Sequence, residues 1–191
     1  MVGLGLTKPG ADRRFQGAWQ FLSTTQLCEP GRLHKVSDEL ESFFFVLFYA
    51  ALHWITHNIP YNLNVGRIFD PVQVFPNGKY NGGGEKLSMY IMGDTVLRVL
   101  EFTMSPLLTE LVRRLFRLFQ SLALTNYYEG WKPAPEDMKN VKKLQNFGVI
   151  VKLMKDAAMN KAWTEIKDRT AIANYPRKEE RVIDIIDYYW G

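Results

Sequence analysis

With 191 residues, 47% of them hydrophobic and 14% aromatic, the chain is long enough to bury one sizeable core, and a single domain is expected. A formal net charge of +4, with acidic residues interspersed among the basic ones, separates it from strongly basic nucleic-acid binders. One cysteine, Cys28, excludes an intrachain disulfide, and the lack of a charged-then-apolar leader points to a reducing intracellular compartment, cytoplasmic or nuclear.

In chain order, residues 1–16 read as a loose N-terminal tail, because Gly3 and Gly5 neither follow a strand nor precede one bearing a lysine. Cys28 has no local activator and is expected to be structural. His34 precedes the first helix in a loop and is assigned no chemistry. That helix is expected from Asp38 to Thr56, capped by Ser37 or Asp38, with Glu41 three residues after Asp38 in capping-box register. Its acidic mouth suits the positive end of the macrodipole. Every residue from Phe43 to Leu52 is apolar, and a helix apolar all round belongs in a core or a membrane. The run is about half of the roughly 20 residues that span a bilayer, so a core helix and no membrane are expected. His53 and His57 are four apart, a spacing that permits a metal on one helical face. No third ligand accompanies them, so packing or pairing with the helix C-terminus is the expectation and no metal is assigned.

Residues 58–104 form an irregular insert punctuated by Pro60, Pro71, Pro76 and the run Gly82-Gly83-Gly84. Ile68-Phe69 and Val72 to Phe75 are expected as short strands, with Asn77-Gly78 as a turn, making a small β-ribbon. The glycine run lacks the Gly-Lys-Ser/Thr ending of a phosphate loop and reads as a flexible turn. Glu85 to about Met92 reads as a short helix. A second strong helix is expected from Pro106 to about Leu122, capped by Ser105, with an apolar stripe from Leu108 to Leu122 and Glu110 pairing with Arg113 and Arg114. Arg113, Arg114 and Arg117 form the tightest basic cluster, with Arg113 and Arg117 on one face. A solvated face is the first reading of it and an acidic or phosphorylated partner the second; without an aromatic-interleaved basic stripe, no nucleic acid is expected. One further helix is expected over about Val141 to Asn160, weakened at Gly148. From Arg177 the chain turns charged and then aromatic, and Asp184 and Asp187 are expected to face solvent rather than to hold a metal.

The stretch Gly17 to Leu52, GAWQFLSTTQLCEPGRLHKVSDELESFFFVLFYAAL, joins a Gly-x-W-Q-F-L-S turn to the helix mouth Ser37-Asp38-Glu39-Leu40-Glu41-Ser42. This junction resembles the middle of a protein-kinase C-lobe, and in particular the fungal-type protein kinase family, which carries a G-T-W-Q-F-M-S turn and a D-D-L-E-S-F-F helix mouth. Weaker likeness continues through the glycine-rich insert and the Leu/Arg helix. The resemblance implies a mainly α fold: the helical C-lobe of a protein-kinase-like domain over residues 17–191, with a small irregular or β-ribbon insert and no N-lobe. It implies that Gly17, Ala18, Trp19 and Phe21 form a substrate-docking turn, that Glu39 is the acidic anchor at the helix mouth, and that the first helix is a buried post. By family it implies ATP-dependent phosphoryl transfer to protein Ser or Thr.

Three positions depart from the family pattern. Ala18 lacks the hydroxyl of the usual Thr, Thr25 stands where the A-P-E glutamate pairs with a buried arginine, and Glu39 is one methylene longer than the usual Asp. The glycine-rich loop, strand Lys, H-R-D and D-F-G motifs have no counterpart in the sixteen residues before Gly17. ATP and magnesium would belong to that half, so no catalytic, cofactor-binding or metal-binding residue is assigned and the chain alone is expected to be inactive. The alternative reading is a non-catalytic helical module that presents the same turn to a protein partner or substrate. Surface that a second lobe would cover is expected to favour self-association.

Overall fold

A computed structural model describes residues 19–29, 31–58, 68–69, 72–74, 80–91, 97, 99–103, 105–128 and 130–161. Among the described residues the fold is mainly helical, with one small antiparallel ribbon. A 3-10 turn, Trp19–Phe21, leads into α1 (Thr24–Cys28) and then α2 (Val36–Trp54). The ribbon β1 (Val72–Val74) and β2 (Tyr80–Gly82) pairs Val72 with Gly82 and Val74 with Tyr80. Helices α3 (Gly84–Ile91), α4 (Pro106–Tyr127), α5 (Pro135–Lys143) and α6 (Gly148–Ala158) follow.

Two helices make the core. From α2 come Leu40, Phe44, Phe45, Phe48, Ala51 and Leu52, and from α4 the stripe Leu108 to Phe119, all buried. The apolar residues of α4 recur every three or four positions, which is why a single face of it can be buried while Arg114 and Arg117 stay outside. Phe44 and Phe119 join the two helices with ring centroids 5.5 Å apart, and Phe44 stacks on Phe48 at 5.7 Å. Tyr90 brings α3 into the same cluster, its ring 5.0 Å from Phe116. Leu144 and Ile150 close the far side, where α5 and α6 lie against α4.

Several expected boundaries move, each for a local reason. α2 starts at Val36 because Lys35, not Ser37 or Asp38, is the N-cap, and Asp38 sits at the third helical position, accepting the Lys35 N–H at 2.7 Å. Ile68 and Phe69 are helical rather than strand, and both are buried: Phe69 packs edge-on to Phe45 at 6.0 Å and to Tyr49 at 5.1 Å. Packing against an aromatic cluster overrides their strand propensity. Ser105 is the N-cap of α4 by position only, since its hydroxyl makes no cap bond; Thr109 donates back to the Ser105 carbonyl instead, at 3.2 Å. The helix expected over Val141 to Asn160 is two helices broken at residues 144–147, with Gly148 opening the second rather than weakening the centre of one. α4 runs on to Tyr127.

The all-apolar run on α2 is not buried all round. Phe43, Val46 and Trp54 are 48%, 44% and 65% exposed, while Phe44, Phe45 and Phe48 are at most 1%. With Leu47 and Ala50 half-buried between them, these residues make one continuous apolar stripe at i, i+3, i+4, i+7 and i+11. Among the described residues, no helix is long and apolar enough to cross a membrane.

Candidate docking site at the mouth of the central helix

α1 and the Ser23 before it are fastened at the N-terminal end of α2, and the turn Trp19–Phe21 runs on along that helix until Phe21 meets Tyr49. Four polar side chains, each almost sealed from solvent, hold them there: Ser23, Asp38, Glu41 and Lys86 are 0%, 1%, 3% and 2% exposed. Burial of that many polar groups is tolerated only where each has partners. Ser23 caps α1: its hydroxyl accepts the Gln26 N–H at 3.1 Å, and the Gln26 side chain accepts the Ser23 N–H at 3.3 Å. The same hydroxyl donates to Asp38 Oδ1 at 3.3 Å. Asp38 Oδ1 also receives Arg32 Nη2 at 2.6 Å, and Oδ2 takes the Lys35 N–H. One carboxylate therefore ties the turn, the loop and the first turn of α2 together.

Glu41, one helical turn further, does the same for α1 and α3. Its Oε1 accepts the Thr24 hydroxyl at 2.6 Å and the Thr24 N–H at 3.2 Å. Burial pushes its carboxyl up from the ordinary range, opposed by the Thr24 hydrogen bonds and the Lys86 charge. Lys86 comes from α3, with its Nζ 3.9 Å from the centre of the Phe45 ring, and donates to the carbonyls of Gln20 at 2.9 Å and Leu22 at 2.6 Å. Burial lowers Lys86 to about 7, with Glu41 pulling the other way. Tyr90 lies alongside; burial and then the Glu41 charge hold its phenol well above the ordinary range, and its hydroxyl has no hydrogen bond of good geometry. Cys28, at the end of α1, is pushed up by burial and then by Glu41 and Glu29, the reverse of what activates a thiol.

Of the residues singled out for the docking turn, Trp19 is 37% exposed and Phe21 is half-buried, packed edge-on against Tyr49 at 5.3 Å and Phe69 at 6.4 Å. Gly17 and Ala18 lie outside the described residues, as do the tail 1–16, the Asn77-Gly78 turn, Asp184 and Asp187. Glu39 points outward: its carboxylate is 3.1 Å from His34 Nδ1 and more than half exposed. The inward carboxylates at this mouth are Asp38 and Glu41, which the sequence had suggested only as capping residues.

Lys86 was not singled out at all. A lysine following three glycines carries no sequence signal of burial, and its role depends on Gly83. That glycine has φ +80°, and a Cβ on it would come within 2.8 Å of Leu27 Cβ, so the chain turns tightly against α1 before entering α3.

The other candidates resolve into packing. His53 Nδ1 donates to the Tyr49 carbonyl at 2.8 Å, while His57 lies beyond the end of α2, with Nε2 2.9 Å from the Leu52 carbonyl, so the two imidazoles do not share a helical face. No group of three or more potential metal ligands occurs among the described residues. Arg117 is exposed as a solvated face expects, while Arg113 departs from it and turns in to donate to the carbonyls of Leu97 at 3.0 Å and Leu100 at 2.9 Å. Arg114 stays outside, 3.9 Å from Glu110.

Comparison with known proteins adds no relative: no family model, curated protein or solved structure matches the chain. The chemistry of the site must therefore be read from its own groups. Lys86 Nζ and Glu41 Oε1, both almost sealed from solvent, spend their hydrogen bonds on the Gln20 and Leu22 carbonyls and on the hydroxyl and N–H of Thr24. On a helical wheel, the exposed stripe of α2 lies roughly opposite Asp38 and Glu41.

Proposed function

We propose that this chain is the substrate-docking half of a fungal-type protein-kinase-like domain, a helical body that binds protein and performs no phosphoryl transfer by itself. The observation that supports this reading best is the fastening of the turn at Gln20 to Thr24 onto the mouth of α2 through Ser23–Asp38, Thr24–Glu41 and Lys86. A turn held against an apolar central helix is what the resemblance of GAWQFLS and SDELESFF to the kinase junction leads one to expect. Such a turn keeps its exposed Trp19 in one orientation, which lowers the ordering cost of binding a peptide.

A second observation supports the same assignment. The stripe Phe43, Val46, Trp54 leaves large apolar side chains in water on the central helix itself, where a monomeric domain normally buries them. In a kinase-like domain a neighbouring catalytic segment would take that place. The clamp for ATP and magnesium needs a strand lysine, a catalytic aspartate and a metal-binding aspartate, and the sequence contains neither H-R-D nor D-F-G.

The test is association in trans. The ATP-binding half of a fungal-type kinase, ending after its D-F-G motif, should bind this chain in a titration and lose that binding with Phe43→Asp/Val46→Asp. Absence of binding to the wild-type chain, with the chain itself monodisperse and monomeric, would sink the proposal.

A further inference from the structure

The segment 19–23 is short and has few ties of its own. Its backbone supplies one internal bond, Leu22 N–H to the Trp19 carbonyl at 3.2 Å, and a single 3-10 turn does not persist unaided. Phe21 gives it an apolar foothold on Tyr49 and Phe69. Ser23 adds its bond to Asp38, and the carbonyls of Gln20 and Leu22 are taken together by one group from 64 to 66 residues away, Lys86 Nζ.

The cost of placing that group there is large. A 2% exposed ammonium loses its hydration, and its compensation consists of two carbonyls, the face of Phe45 and the carboxylate of Glu41. Methionine would fill the same slot without that cost, so burial of apolar surface alone does not account for a lysine here. What methionine cannot supply is a pair of donors.

We propose that Lys86 is the latch of the docking turn: its two hydrogen bonds hold residues 20–22 on the mouth of α2, and removing them frees the turn while the helical body stays folded. Glu41 serves the latch as its counter-charge and, through Thr24, holds the next element, so the closed turn is a separable unit of low stability resting on a stable body. Lys86 is thus a positioning residue for Trp19 and Phe21. The idea takes its purpose from reading the turn as a docking surface, but its test uses no partner, so failure of docking and failure of the latch are separate results.

The experiment is amide hydrogen exchange on the full chain, comparing Glu41→Gln with Lys86→Met/Glu41→Gln. Glutamine keeps an oxygen for the Thr24 bonds and leaves no orphaned charge when Lys86 is removed, which keeps the double variant folded. A group that mattered only as a charge partner of Glu41 would be dispensable in that background. The latch instead requires the amides of residues 22–27 to exchange at least about ten-fold faster in the double variant than in Glu41→Gln, with those of 108–124 within about two-fold. Equal protection of the turn in the two proteins overturns the proposal, and so does a parallel loss of protection across 108–124, which would make Lys86 a support of the whole fold.

Discussion

The Thr24 hydroxyl lies 2.6 Å from Glu41 Oε1, a buried hydrogen bond to a carboxylate that joins residues 17 apart in sequence and fastens α1 to the central helix. A hydrogen bond to a charged group is worth about 1.5–3 kcal/mol, and its loss leaves Glu41 Oε1 the longer bond from the Thr24 N–H at 3.2 Å. Thr24→Val, which keeps the shape and removes the donor, should lower the unfolding free energy by about 2 kcal/mol in urea titrations. A loss smaller than about 0.5 kcal/mol would mean that water or another donor takes over, and that the mouth is less sealed than its burial indicates.

Neighbouring residues of α2 should respond in opposite ways. Phe44, wedged between Phe48 and Phe119, should cost about 3–5 kcal/mol as Phe44→Ala, enough to exhaust much of a typical domain's margin. Phe43→Ser, one residue earlier on the exposed stripe, should change stability by no more than about 0.5 kcal/mol and should reduce self-association measured by sedimentation. If Phe43→Ser is the more damaging of the two, α2 faces the core by another side.

Gly83 is the pivot that delivers Lys86. With φ +80° and Leu27 Cβ 2.8 Å from where its own Cβ would be, Gly83→Ala should cost about 1–3 kcal/mol by chemical denaturation. Gly84→Ala, with nothing within 4 Å of its added methyl, should be neutral or slightly stabilising, since it opens α3. Equal effects at the two positions would contradict the tight approach to α1.

The buried pair should leave a mark on stability against pH. Glu41 is raised above the ordinary carboxylate value, so its contribution is complete below that value and is lost as pH rises through the folded one. Lys86 is lowered to about 7, so its contribution is complete above the ordinary lysine value and is lost as pH falls through about 7. The pair therefore contributes least near neutrality. Urea midpoints of the wild type minus those of Lys86→Met/Glu41→Gln should be lowest near pH 7 and rise both toward the ordinary carboxylate range and toward pH 9.5. A difference that peaks at neutrality would show the pair acting as a net stabilising ion pair.

How far these features can be read from the sequence depends on how local their causes are. The helices around Phe44, Glu85 and Leu111 are legible because an apolar period and helix-start chemistry lie within each segment, and so is the ribbon's first strand, Val72–Val74; its partner Tyr80–Gly82 is not, because its last residue, Gly82, opens a glycine run that reads as a flexible turn. The break before Gly148 is not, because residues 144–147 carry no proline and Leu144 is pulled into the core by α4. The site is legible only in outline. Sequence places an acidic mouth on α2, but which acids face inward depends on where α1 crosses, 15 and 17 residues away at Ser23 and Thr24. For the same reason Glu39 looks equivalent to its neighbours until the helix is packed, and Lys86 is invisible because its partners are backbone carbonyls, which any residue carries.

Isothermal titration of the chain with Mg-ATP at physiological salt, beside a radiolabel transfer assay on a generic protein substrate, tests the central claim most directly. A docking half without a phosphate clamp should give no saturable heat and no transferred label, leaving only weak, salt-sensitive attraction to surface lysines and arginines. Micromolar binding together with label incorporation that survives repeated purification would contradict it, and would require a catalytic constellation built from other residues of this chain.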